Sequence, residues 1–178
     1  MKNYLPLVFT LLALLCASQA ANALKSDREQ PIRIQANSGL IDDAIGKSTY
    51  TGDVQIDQGS LKINADEVQI FMSENEVVKI IATTFEAPTE TPDQTGNRKL
   101  AHFEQLADDS NELVTADATL ITYLVKDAKL HLKGRAQMQQ TADSFTGETL
   151  FYDINLGIVD LKNNGSPLDR IEIILTPK

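Results

Sequence analysis

The feature that most constrains this chain is a β-patterned stretch that recurs without a gap 82 positions later. From Tyr50 to Ile70 the sequence YTGDVQIDQGSLKINADEVQI places apolar residues at Val54 and Ile56, Leu61 and Ile63, Val68 and Ile70, with polar residues between them. A period of two is the mark of strands with one buried face. In the echo, Gly52 falls on Gly134, Val54 on Ala136, Ile56 on Met138 and Gln58 on Gln140. Ile63 then falls on Phe145, Asp66 on Glu148, Val68 on Leu150 and Ile70 on Tyr152. Asp57-Gln58-Gly59-Ser60 reads as a hairpin loop, with a glycine available for positive φ. Asn64-Ala65-Asp66-Glu67 reads as a second turn, closed by side chains that bond their own backbone. Val114-Thr115-Ala116-Asp117 resembles Ile63-Asn64-Ala65-Asp66, and Ile34-Gln35-Ala36-Asn37 is a fainter version. A meander repeated in this way predicts stacked β units rather than one hairpin in a mixed fold.

The rest of the chain agrees. Pro31 opens a short alternating segment over 32–36, as expected of an edge strand. Residues 77–85 are dense in β-branched side chains. Residues 100–106 carry apolar side chains at helical spacing (Leu100, Phe103, Leu106), but in this setting they predict a strand. Further strands are expected over 113–116, 118–125, 128–132, 136–139, 144–146, 149–154, 158–161 and 170–175. Pro88 to Lys99, with two prolines and a glycine, predicts a surface loop. Many short strands at this spacing predict a sandwich, jelly roll or barrel. The Cys…Trp…Cys framework of an antibody domain is excluded, because the chain has no Trp and one Cys.

The leading residues MKNYLPLVFTLLALLCASQAANA combine Lys2, an apolar run and the small-residue site Ala21-Asn22-Ala23, which predicts a secretory signal peptide over 1–23. Cleavage after Ala20 is the alternative. Leu15 before Cys16 disfavours a lipoprotein anchor. Removing 23 of the 178 residues leaves 155, over 24–178, a length suited to one domain. Cys16 is lost with the leader, so no disulfide is expected in the exported chain. Loss of Lys2 moves the formal charge from −9 to −10. Such an acidic chain would repel nucleic-acid phosphates. His102 and His131 are the only histidines, too few for a zinc site or a supported hydrolytic base. The acidic pairs lack calcium-loop spacing. No cofactor, metal or enzymatic activity is expected, and the chain reads as a binding protein.

Three segments carry a family resemblance: Gln30-Pro31-Ile32-Arg33-Ile34, Tyr50-Thr51-Gly52-Asp53-Val54, and Gln58-Gly59-Ser60-Leu61-Lys62-Ile63-Asn64-Ala65-Asp66. In combination they resemble the periplasmic lipopolysaccharide-transport, LptA/OstA-like, family. The resemblance implies an all-β, elongated, V-shaped antiparallel jelly roll with an open apolar groove for the acyl chains of lipopolysaccharide. It implies subunits stacked end to end, bridging inner-membrane-anchored and outer-membrane components of the transport machinery. Carried over residue by residue, the groove positions are Ile32, Phe85, Tyr123 and Val125. Alternation adds Val54, Ile56, Ile63, Met138, Phe145 and Tyr152, for which plain core packing is an equal expectation. Edge-strand stacking falls to Pro31, Ile32, Arg33 and Ile34 at one end, and to Arg170, Ile171, Ile173 and Leu175 at the other. The rivals are an exported β module that forms filaments without lipid, and a carbohydrate-binding jelly roll, which the absence of Trp disfavours.

Overall fold

Alternation in the sequence becomes twelve strands in a computed structural model that describes residues 27–85, 99–107, 112–163 and 170–177. The leader with its cleavage sites, most of the Pro88 to Lys99 segment, and residues 108–111 and 164–169 lie outside these residues. After a 3-10 turn at Asp27–Glu29 come β1 (Arg33–Gln35), β2 (Ser38–Asp42), β3 (Lys47–Gln58), β4 (Leu61–Ser73), β5 (Glu76–Thr83) and β6 (Ala101–Leu106). The second half holds β7 (Leu113–Ala118), β8 (Leu120–Leu124), β9 (Lys129–Gln140), β10 (Asp143–Asp153), β11 (Ile158–Lys162) and β12 (Glu172–Ile174). All pairings are antiparallel.

Four long strands change neighbours midway, and this divides the sheet into two wings. β3 pairs with β2 through Lys47–Thr51 and with β1 through Gln55–Asp57. β4 pairs with β6 through Lys62–Asn64 and with β5 from Glu67 onward. β9 likewise takes β8 and then β7, and β10 takes β12 and then β11. One wing therefore runs β2-β3-β4-β5-β8-β9-β10-β11, and the other β1-β3-β4-β6-β7-β9-β10-β12. This is an antiparallel jelly roll whose wings share strands along one seam.

The seam is built by the repeated glycines. Gly52 and Gly134 have φ of 86° and 80°, and each is followed by a second left-handed residue, Asp53 at 44° and Arg135 at 52°. The ladder shifts register between Thr51 and Val54, and between Gly147 and Thr149 on the facing strand of the second unit. Such bulges bend a strand and sharpen its twist. At each seam a neighbouring backbone closes on the glycine, Asn37 N donating to Gly52 O at 3.0 Å and Thr119 N to Gly134 O at 2.9 Å.

The echo is thus a structural duplication, with β1–β6 answered by β7–β12. The row Ile34, Ile56, Ile63 in the first half matches Ala116, Met138, Phe145 in the second. Residues 114–117 consequently correspond to β1 and not, as their composition suggests, to Ile63–Asp66. The turn expected at Asn64–Glu67 is absent, since β4 runs through it with Ala65 1% exposed. Asp66 serves the seam instead, accepting from Phe85 N and from Lys99 Nζ, each at 3.0 Å. For the same reason the segments expected at 128–132 and 136–139 form one strand, β9, and those at 144–146 and 149–154 form β10. Seam residues look turn-like because the backbone kinks there while its pairing continues.

Candidate functional site

Side chains facing into the space between the wings are graded from the seam outward. On the wing that carries β1 and β12, the seam row is small, pairing Val54 with Ala65, Ala101 with Ala118, and Ala136 with Gly147. Small residues let the wings approach closely there. The next row is apolar and, but for Ala116, large: Ile34, Ile56, Ile63, Phe103, Ala116, Met138, Phe145 and Ile173, strand by strand from one edge to the other. The outermost row turns polar, with Gln58 beside Leu61, and Gln105, Val114 and Gln140 in sequence across β6, β7 and β9.

The facing wing supplies two apolar rows. Tyr50, Val68, Ala82, Ile121, Leu132, Leu150 and Leu161 lie nearer the seam. Ile70, Ile80, Tyr123, Leu130, Tyr152 and Val159 lie farther out. The wings touch where the rings of Phe103 and Tyr123 meet edge to face, 5.2 Å between centroids. They meet again where the Tyr152 hydroxyl donates to Gln140 Oε1 at 3.1 Å. Burial and the nearby carboxylates of Glu112 and Asp153 raise the Tyr152 pKa, so this phenol stays a donor.

Between the wings at the β1 end opens a cavity of about 410 Å³, lined by Gln30, Ile32, Gln58, Met72, Val77 and Val125 among others. Its rim carries the exposed Lys126–Glu76 ion pair at 3.0 Å. The segment before β1 walls one side and is tied down by Asp27. That carboxylate accepts from Ser60 N at 2.8 Å, from the Ser60 hydroxyl at 2.5 Å and from Gln105 Nε2 at 3.3 Å, while Gln58 Nε2 donates to Gln30 O at 3.0 Å.

The sequence-derived groove residues separate on these criteria. Ile32 and Val125 line the cavity. Tyr123 (2% exposed), Val54, Ile56, Ile63, Met138 and Tyr152 are buried in the cluster between the wings, and Phe145 is half-buried against it. Phe85 is 54% exposed beside the seam, away from the cavity lining. The residues expected to stack lie on or beside β1 and β12, with β1 paired only to β3 and β12 only to β10 among the described residues. Ile171, Ile173 and Leu175 are exposed. Gln105 went unnoticed in the sequence, because a lone glutamine in an alternating strand gives no signal of which face it takes.

Neither histidine belongs to this site. His102 lies on the outer face, its Nδ1 2.9 Å from Asp117 Oδ1. His131 packs edge to face on Phe151. No group of three or more metal-ligating side chains occurs among the described residues.

Residues 33–158 match the family described as LptA/(LptD N-terminal domain) LPS transport protein. The chain is 34% identical over 181 residues to the lipopolysaccharide export system protein LptH of Pseudomonas aeruginosa, across 99% of this chain and 95% of that protein. It is 29% identical over 170 residues to the export system protein LptA of Haemophilus influenzae, covering 96% and 91%. The LptA of Escherichia coli is 29% identical over 140 residues, covering 79% and 69%. The crystal structure of P. aeruginosa LptH, the LptA-homologous periplasmic component of the conserved lipopolysaccharide transport device, superposes with a TM-score of 0.70 at 30% identity. That match covers 86% of this chain and all of the other.

Proposed function

Because the chain belongs to the LptA/(LptD N-terminal domain) LPS transport protein family, we propose that it is a periplasmic bridge that carries lipopolysaccharide toward the outer membrane. It works as a binding protein without catalysis, holding acyl chains between the wings and stacking end to end with further copies. Its outer partners are the inner-membrane-anchored and outer-membrane components of the same machinery. The observation that carries this reading is that the apolar row runs without a polar residue from Ile34 on β1 to Ile173 on β12, both edge strands. A lipid path shared between subunits needs such a wall to continue across the junction. Burying each acyl CH₂ returns about 0.8 kcal/mol, so sheltering several chains offsets their exposure to water.

The internal duplication supports a specific geometry for that junction. Inside one chain, β5 and β6 of the first unit pair with β8 and β7 of the second, with Ile80 opposite Tyr123 and Phe103 opposite Ala116. The free strands β11 and β12 are the second-unit counterparts of β5 and β6, and β2 and β1 are the first-unit counterparts of β8 and β7. Repeating the internal junction between copies sets Ile173 opposite Ile34 and Val159 opposite Ile41, each inward-facing pair matched in parity. Main-chain hydrogen bonds then provide the adhesion.

One experiment tests both halves of the reading. With no cysteine in residues 24–178, Ile34→Cys and Ile173→Cys variants mixed under oxidation are expected to give a disulfide-linked dimer. Pairing Ile34→Cys with Glu172→Cys, one step out of register, is expected not to. A photoreactive residue at Val125 in cells is expected to capture lipopolysaccharide. Capture of protein but no lipid would favour a filament-forming module and sink the lipid assignment. No register preference would sink the junction.

A further inference from the structure

Three inward-facing glutamines border the apolar space: Gln58 and Gln140 are equivalents in the two repeated units, and Gln105 lies between them on β6. Gln58 is 9% exposed and Gln105 8%. In all three the amide nitrogen is held by a protein acceptor: Gln58 by Gln30 O, Gln105 by the Asp27 carboxylate, Gln140 by Glu112 Oε2. The amide donors of the row are therefore engaged within the protein. The Gln140 carbonyl oxygen takes the Tyr152 hydroxyl. The Gln105 carbonyl oxygen is buried and has no hydrogen-bond partner among the described residues. Leaving an acceptor in that state is costly, and the cost calls for a reason.

Resting on the lipid reading above, we propose that this row is a subsite for the hydrogen-bonding end of an acyl chain, with Gln105 accepting from the N–H of an amide-linked chain. The interior grades from small to large apolar to amide, which matches an amphiphile whose hydrocarbon tip points to the seam and whose linkage sits at the rim. Gln58, in the same row, already lines the 410 Å³ cavity. The occupant is thus a donor-bearing acyl linkage, and a chain joined through an ester, which has no donor, leaves Gln105 unsatisfied. A site built to bond a donor discriminates against the analogue lacking it, because the buried partner is left unpaired.

The test uses the chain over residues 24–178 and two probes of equal chain length, an N-acyl glucosamine and an acyl ester of glucose, with binding measured by calorimetry and thermal unfolding of the unliganded protein. Wild type is expected to prefer the amide by about five- to tenfold, the scale of one neutral hydrogen bond. Gln105→Leu is expected to keep the ester affinity, lose the preference and remain folded, the buried orphan going together with the bond to Asp27. Equal binding of both probes by wild type overturns this inference and leaves the lipid reading intact, whereas binding of neither brings down both. Loss of both affinities together with a lowered Tm in Gln105→Leu assigns the residue to packing and also overturns it. If that variant does not fold, the wild-type preference alone decides.

Discussion

The duplicated seam makes a quantitative prediction for two glycines placed alike in the repeat. A Cβ at Gly52 would stand 2.5 Å from Asn37 Nδ2 and 2.8 Å from Asn37 Cβ, and one at Gly134 would stand 2.8 Å from Thr119 Oγ1 and 2.9 Å from its Cβ. Both glycines have positive φ, at 86° and 80°. The left-handed backbone alone costs an L-residue about 1–2 kcal/mol. In each case a Cβ fixed to the neighbouring backbone lies among the close atoms, so the neighbour cannot simply rotate away. Gly52→Ala and Gly134→Ala should each therefore destabilise by about 2 kcal/mol, the φ cost plus a displaced neighbour. For a chain of this size that lowers Tm by about 4–8 °C. Urea and thermal unfolding of the two variants check the value. A double-mutant cycle with Asn37→Gly should recover the contact part and leave the φ part. Arg135→Gly, which relieves a left-handed non-glycine residue at 52°, should show no such loss. If both alanine variants unfold like wild type, the seam is not conformationally constrained and the account of the wings is wrong.

Two further perturbations probe the wings from opposite faces. His102 on the outer face has its imidazole pKa raised, first by the hydrogen bond to Asp117, with burial opposing and the Glu104 charge assisting. A raised folded-state pKa gives stability that is full below the unfolded value, about 6.5, and is lost as pH rises through the higher folded value. The Tm gap between wild type and His102→Gln should accordingly shrink as pH goes from 5.5 to about 8.5, and a constant gap would refute the assignment. Inside, Phe103→Ala removes a 0% exposed ring and its edge contact with Tyr123. It should cost about 3–5 kcal/mol, readable as a lowered urea midpoint with an unchanged slope. A loss under 1 kcal/mol would mean that the wings do not depend on this contact.

Much of this protein is legible in one dimension. Val54, Ile56, Ile63, Val68 and Ile70 face inward as their alternation requires; the echoes Ala136, Met138, Leu150 and Tyr152 are equally buried, and Phe145, the echo of Ile63, is half-buried. The glycines of the echo occupy matching backbone conformations because only glycine adopts that geometry cheaply. Reading failed at Asn64–Glu67 because a kinked, continuous strand and a turn recruit the same residues. Phe85 and Val125 are both apolar groove candidates from family resemblance, yet one is 54% exposed and the other 7%. Nothing local separates them, because burial there depends on which wing faces which strand.

Most of the strands, their inward faces and the duplication follow from periodicity and from residues with restricted or exceptional backbone freedom, and are legible without coordinates. Only the tertiary structure decided that long strands divide between two wings, that Phe103 meets Tyr123, and that Gln58, Gln105 and Gln140 share one rim. Those facts concern residues far apart in the chain. Pairing across a sheet follows from register and from the bend at the seam, and no single stretch of sequence contains either.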